Sequence, residues 1–313
     1  MKDEPGLYVQ TTLKTPVTFS GVGLHSGAPV EMTVHPAGAD HGIWFRRTDV
    51  AARDARVPAR WDAVTEAALC TLIANDAGTT VSTIEHIMAA LAGCGITNAL
   101  IDLDGPEVPI MDGSAILFVE HILKAGLQRL DAPRYALKLL KTVEVSSEAG
   151  FARLEPAHSL SIDFAIDFDD AAIGRQTKSL NMANGSFVRE LCDSRTFCRN
   201  SDVEIMRSQG LVRGGTLENA VVVDGDKILS PGGLRHTDEA VRHKMLDALG
   251  DLALAGAPIL GRYTGVRAGH AMTNRLLRAL FADPDSFELV ECDAAILAHL
   301  PGTGVSLSEI PAT

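Results

Sequence analysis

The chain has 313 residues, enough to bury substantial cores and, at the usual size of a domain, to form two of them. Its formal net charge of −12 argues against a nucleic-acid binder, because phosphate contacts need a basic face, and no run of about 18 apolar residues is present to span a membrane. Five cysteines without a C-x-x-C pair, and a polar start (Met1-Lys-Asp-Glu-Pro5) with no apolar stretch, lead us to expect free thiols in a reducing cytoplasm.

In chain order, residues 15–27 read as strand, tight Gly-rich loop and strand, and residues 30–35 alternate as a half-buried strand does. A helix is predicted over 82–91, stopping at Gly93, then a strand over 98–103, a loop over 105–113 and a second helix over 114–125. Residues 129–136 read as a linker. Strands follow at 135–145, 151–156 and 160–168, then a helical zone near 186–191 and a Gly-rich stretch at 210–215. A hairpin turns on Asp224-Gly225, and helices are expected over 238–255 and 274–281. Each half runs strands first and helices later, which predicts an α+β fold of two similar-sized domains, 1–130 and 131–313.

The chemistry concentrates in Val241-Arg-His-Lys-Met-Leu-Asp-Ala-Leu-Gly-Asp251. His243 and Asp247 are four apart, so on a helix they project from one face toward a single cation, and Asp251 continues the stripe. A catalytic zinc takes three protein ligands and keeps a position open. The best third ligand is His86, whose neighbour Glu85 is a candidate base for activating water. Imidazole and carboxylate suit Zn²⁺ and Fe²⁺ alike. Other readings stand beside these. Ser82-x-x-Glu85 has the form of a helix capping box. His243 and Asp247 have the form of a hydrogen-bonded surface pair, Asp251 that of a solvent-facing acid, and His270 that of a loop histidine near a helix cap. Gly21-x-Gly-x-x-x-Gly27 fits neither dinucleotide nor P-loop spacing.

Taken together, Gly21-Val-Gly-Leu-His-Ser-Gly27, Ser82-Thr-Ile-Glu-His-Ile-Met-Ala-Ala-Leu-Ala-Gly93, Pro109-Ile-Met-Asp-Gly-Ser114, Arg195-Thr-Phe197, the segment 241–251 and Gly269-His270 resemble the UDP-3-O-acyl-N-acetylglucosamine deacetylase family of lipid A biosynthesis. The resemblance runs from about residue 11 to 281. It implies a layered β-α-α-β sandwich and a cytoplasmic enzyme that removes acetate from a UDP-linked acylated glucosamine. It further implies zinc on His86, His243 and Asp247, Glu85 as base, and His270 as acid or electrostatic stabiliser oriented by Asp251. Thr196 would donate to the oxyanion and Lys244 would sit at the reacting end. Asp167 and Phe168 would meet the uridine nucleotide. Arg267 would meet the diphosphate in place of the lysine the family often has. Phe197 and an apolar passage of Val203, Met206, Val212, Ala220 and Val222 would take the acyl chain. Cys198 stands where some members have Gly, and His25 lies near the active-site end. A regulatory protease is a further partner the family allows, although no residue pattern here identifies one. Two rivals remain at this level: a zinc amidohydrolase for another acylated sugar, and a non-catalytic binder of a nucleotide sugar or lipid precursor. Because the chain ends at Thr313, a fusion with a dehydratase domain is not expected.

Overall fold

A computed structural model describes residues 9–51, 54–67 and 69–311. Alternating buried and exposed positions build the first large sheet. Its strands lie in the order Val17–Val22, Pro29–Pro36, Ala99–Leu103, Ile43–Arg47 and Arg56–Pro58, with Ile43–Arg47 parallel to Ala99–Leu103. A second sheet of seven strands has Ile259–Val266 near its centre. That strand pairs antiparallel with Phe151–Pro156 and parallel with both Tyr135–Leu139 and Ser161–Asp167.

Helices accompany these sheets. Among the described residues they are α1 (Glu85–Gly93), α2 (Ile116–Ala125), α3 (Ser186–Glu190), α4 (Asn200–Ser208), α5 (Glu239–Ala253), α6 (His270–Ala282) and α7 (Ala294–Leu297). α2 packs on the first sheet, and α5 and α6 pack on the second. α1 and α5 meet in the middle, so the fold is a mixed α+β sandwich layered sheet, helix, helix, sheet. Nearly every residue of α1 is buried, as expected of a helix covered on all sides. Gly250 of α5 makes the central contact possible, because a Cβ there would run into the backbone carbonyl of Glu85.

Several expectations need correction. Residues 129–136 are not a linker: Leu127–Pro133 is a strand paired antiparallel with Val9–Leu13, and Tyr135–Leu139 enters the second sheet directly. The strand expected over 135–145 is two strands, Tyr135–Leu139 and Val143–Ser146. The last long helix begins at His270 rather than 274, following the extended Gly269. Strands Arg175–Asn181 and Phe287–Glu291 and helices α4 and α7 were not anticipated. No helix among the described residues is long and apolar enough to cross a membrane.

Candidate active site

α5 carries His243 and Asp247 one turn apart, both buried, with His243 Nε2 3.3 Å from Asp247 Oδ1. His243 Nδ1 donates to the Ser194 carbonyl at 3.0 Å, which fixes the tautomer and leaves Nε2 with a free lone pair. α1 supplies His86, whose Nε2 lies 3.7 Å from the same Asp247 oxygen and whose ring stands edge-on to His243 with centroids 5.0 Å apart. One potential ligand atom from each of the three residues lies within 4.8 Å of the other two. Asp247 Oδ1, at the centre of this group, is buried and has no hydrogen-bond partner among the described residues. Such an atom is costly unless something else satisfies it. Two imidazoles and a carboxylate around an orphaned oxygen fit a divalent cation such as zinc.

The electrostatics agree with that fit. Burial, joined by the neighbouring His243, pushes the His86 imidazole down to about 3, and burial also lowers His243, so both rings are neutral as ligands must be. Burial works against the Asp247 carboxylate, but His243, Lys244, His270 and His86 together hold its pKa well below the usual range. Lys244 Nζ donates to Asp247 Oδ2 at 2.7 Å, the oxygen that also lies 3.9 Å from His270 Nε2. Burial opposes the Lys244 ammonium, and Asp247 outweighs it and raises its pKa.

The turn into α1 sets Glu85. Thr83 has a left-handed φ of 58° directly after the strand Thr80–Ser82, and Glu85 is the first residue of the helix. The capping-box alternative is overturned. Ser82 belongs to the strand, with its backbone bonded to Pro106, and no side chain among the described residues caps α1. The Glu85 carboxylate instead points inward, where Oε2 accepts the Thr71 backbone N–H at 3.0 Å and Oε1 lies 3.9 Å from His270 Nε2. Burial pushes the Glu85 carboxyl up to about 7, with His270 pulling down and Asp247 and Asp251 adding to the rise.

Asp251 is 4% exposed, which disposes of the solvent-facing alternative. Its Oδ2 accepts from His270 Nδ1 at 2.9 Å. His270 opens α6 and is no loop residue. Burial disfavours its cation, but Asp251, Glu85 and the hydrogen bond to Asp251 together lift it to about 9.

Glu85, His86, His243, Lys244, Asp247 and His270 line a cavity of about 820 Å³. Thr196 and Phe197 line it where the strand Phe197–Arg199 begins, and Phe168 packs edge-on to Phe197 with ring centroids 5.4 Å apart. Beyond them Val203 and Met206 of α4, Val212, Ala220, Val222 and Cys198 make a mainly apolar wall. Asp167 and Arg267 are not part of that wall. They form an ion pair with each other at 2.8 Å, each about half exposed. His25 does reach the cavity: it is buried, and neither ring nitrogen has a partner among the described residues.

Reasoning from spacing missed the supporting groups. Thr71 touches both Glu85 and Asp251. The buried pair Arg195–Glu239, at 2.9 Å, braces the strand entrance beside Ser194 and Thr196. A lone threonine carries no periodic signal. Arg195 belongs to the segment Arg195-Thr-Phe197, but nothing in spacing ties it to Glu239, 44 residues on.

Comparison with known proteins brings the chain into a family. A family model described as UDP-3-O-acyl N-acetylglycosamine deacetylase matches residues 10–282. A UDP-3-O-acyl-N-acetylglucosamine deacetylase of Phenylobacterium zucineum is 50% identical over 280 residues, covering 90% of this chain and 96% of the relative. The protein of the same name from Shewanella frigidimarina is 44% identical over 94% of this chain and 97% of its own length. That from Myxococcus xanthus is 45% identical over 97% and 95%. A match over residues 10–282, which takes in both central helices and every residue of the cluster, assigns this chain to the UDP-3-O-acyl N-acetylglycosamine deacetylase family.

Proposed function

We propose that the chain hydrolyses the acetamide of a UDP-3-O-acyl-N-acetylglucosamine in lipid A biosynthesis, releasing acetate, in the cytoplasm. His86, His243 and Asp247 would hold the catalytic cation, zinc or iron(II). The observation that carries this reading is the Asp247 oxygen, buried between two imidazoles and without a hydrogen-bond partner among the described residues, in a chain 50% identical to a named deacetylase.

A cation bound there supplies Lewis acidity toward the amide carbonyl and makes water easier to deprotonate. The rest of the chemistry belongs to side chains. Glu85, with a carboxyl near neutrality, takes a proton from water as it attacks the carbonyl carbon. The Thr196 hydroxyl donates to the oxygen that gains charge, a contact typically worth ~3 kcal/mol. The C–N bond then breaks, and the leaving nitrogen takes a proton from His270 or from Glu85, giving the free amine and acetate. Asp251 keeps His270 charged and aligned, and Lys244 holds Asp247 in place at the reacting end. Asp167 and Phe168 meet the uridine nucleotide, Arg267 meets the diphosphate, and Phe197 stands at the start of the acyl passage. Val203, Met206, Val212, Ala220 and Val222 give the acyl chain an apolar course, and the same reading makes residues 1–130 and 131–313 two domains joined at the site.

The test is metal content of the purified protein together with acetate release before and after chelation. Turnover should vanish on chelation and return with Zn²⁺, and Glu85→Ala should bind substrate but not turn it over. Binding without turnover in the metal-replete wild type would favour a carrier of the same ligand. Equal rates on UDP-N-acetylglucosamine with and without the 3-O-acyl chain would remove the acyl passage.

A further inference from the structure

Thr71 closes a ring of buried polar groups. Its hydroxyl donates to Asp251 Oδ1 at 2.6 Å, and its backbone N–H donates to Glu85 Oε2 at 3.0 Å. The other oxygen of each carboxylate faces the same imidazole: Asp251 Oδ2 accepts from His270 Nδ1 at 2.9 Å, and Glu85 Oε1 lies 3.9 Å from His270 Nε2. Thr71 is 3% exposed, so water does not compete for these bonds.

The position follows from the small sheet that precedes α1. Leu72–Ala74 pairs antiparallel with Thr80–Ser82, with Leu72 opposite Ser82. Thr71 therefore sits one step beyond the end of that ladder, level with Thr83, where the chain turns toward Glu85. The sheet that launches α1 also delivers the residue that grips its first side chain.

A carboxylate anchored at one oxygen can still rotate, and an imidazole bonded to it swings with it. Anchoring both oxygens removes that freedom. We infer that Thr71 is a positioning residue: through its hydroxyl it holds the Asp251 carboxylate, and so the His270 ring, in the orientation that turns His270 Nε2 toward Glu85 and the reacting atoms. This rests on the roles proposed above for Asp251 and His270.

Thr71→Val tests it, since valine keeps the size and the backbone N–H and removes only the hydroxyl. With metal content checked to be equal across variants, kcat should fall on the order of tenfold while KM stays unchanged. Thr71→Ser should recover most of the rate. Thr71→Ala serves the same purpose should valine prevent folding. In the Thr71→Val/Asp251→Asn double variant the loss should match that of Asp251→Asn alone. Without turnover, the downfield Nδ1–H proton resonance of His270, assigned by its absence in His270→Gln, should move in Thr71→Val and return in Thr71→Ser. Wild-type kcat in Thr71→Val and Thr71→Ala beside a damaged Asp251→Asn overturns the role of Thr71 alone, as does a loss that multiplies in the double variant. A silent Asp251→Asn overturns both this inference and the reading beneath it.

Discussion

Glu85 and His270 face each other across 3.9 Å, and both hold their protons more tightly than free side chains do. The carboxyl is pushed up to about 7 by burial, and the imidazolium is held to about 9 by Asp251 and Glu85 against its own burial. Between those values the pair is Glu⁻ beside HisH⁺, a ready base next to a ready acid. The two titrate together, so a rate profile reports values of the pair. Activity should rise as pH climbs through about 7, where Glu85 ionises, and fall through about 9, where His270 loses its charge. His270→Gln should lower kcat by roughly 10²–10⁴ and abolish the alkaline limb. A kcat–pH curve for that variant with the alkaline limb still present would show that another group carries it. Part of this arrangement was legible beforehand: the four-residue steps from His243 to Asp247 to Asp251 are helical arithmetic. Spacing could not pair His86 with them, because the contact forms between distant helices; residue type beside Glu85 marked His86 as a candidate, and the resemblance of whole segments supported it. Thr71 and the inward turn of Glu85 were illegible, since the sequence pattern around Ser82 matches a helix cap that the strand Thr80–Ser82 pre-empts.

At the scale of elements, the site depends on how closely α1 and α5 approach. The four-residue stripe of α5 faces α1 across Gly250, where hydrogen replaces a side chain against the Glu85 carbonyl. Long helices with strong buried faces were readable, and so was the hairpin of Val221–Asp224 and Lys227–Ile228. Helix α4 was not: none of its residues is buried, and its short apolar pair, Val203 and Met206, lines the cavity and not a core. Strand Arg175–Asn181 escaped for a related reason, as its positions alternate between exposed and half-buried at the sheet edge. Gly250→Ala should force the two central helices apart at a cost of about 1–3 kcal/mol. Because α1 carries His86 and α5 carries His243 and Asp247, the same variant should bind zinc more weakly. Gly38→Ala, where an added Cβ meets nothing, is the control expected to change stability by less than about 0.5 kcal/mol. Thermal melting and competitive chelator titration measure the two effects. A Gly250→Ala protein with wild-type melting and wild-type zinc affinity would mean that the helices yield at no cost and that this contact does not set the site.

For the molecule as a whole, the same geometry links chemistry to stability. In a chain with a net charge of −12, Lys244 and His270 both approach Asp247, setting two cationic groups among the buried carboxylates of Glu85, Asp247 and Asp251. The proposed ligands come from two helices that belong to different layers of the sandwich, one packed with the first sheet's helix and the other resting on the second sheet. A cation shared by them would act as a cross-link between layers. Its absence leaves Asp247 Oδ1 buried and unsatisfied, a penalty of roughly 1–3 kcal/mol borne by the metal-free fold. An ion that binds only the folded chain stabilises it by RT ln(1 + [M]/Kd), about 2.7 kcal/mol at a hundred times Kd. The apo protein should therefore melt at a lower temperature than the zinc form, and the melting temperature should climb with the logarithm of free zinc. Asp247→Ala should flatten that dependence, since two imidazoles alone make a poor site, whereas Asp251→Ala should preserve it because Asp251 bonds to His270 and Thr71 and not to the ligand group. Differential scanning calorimetry in zinc buffers reads all three proteins, and a wild-type melting temperature indifferent to zinc would separate the cluster from any resident metal.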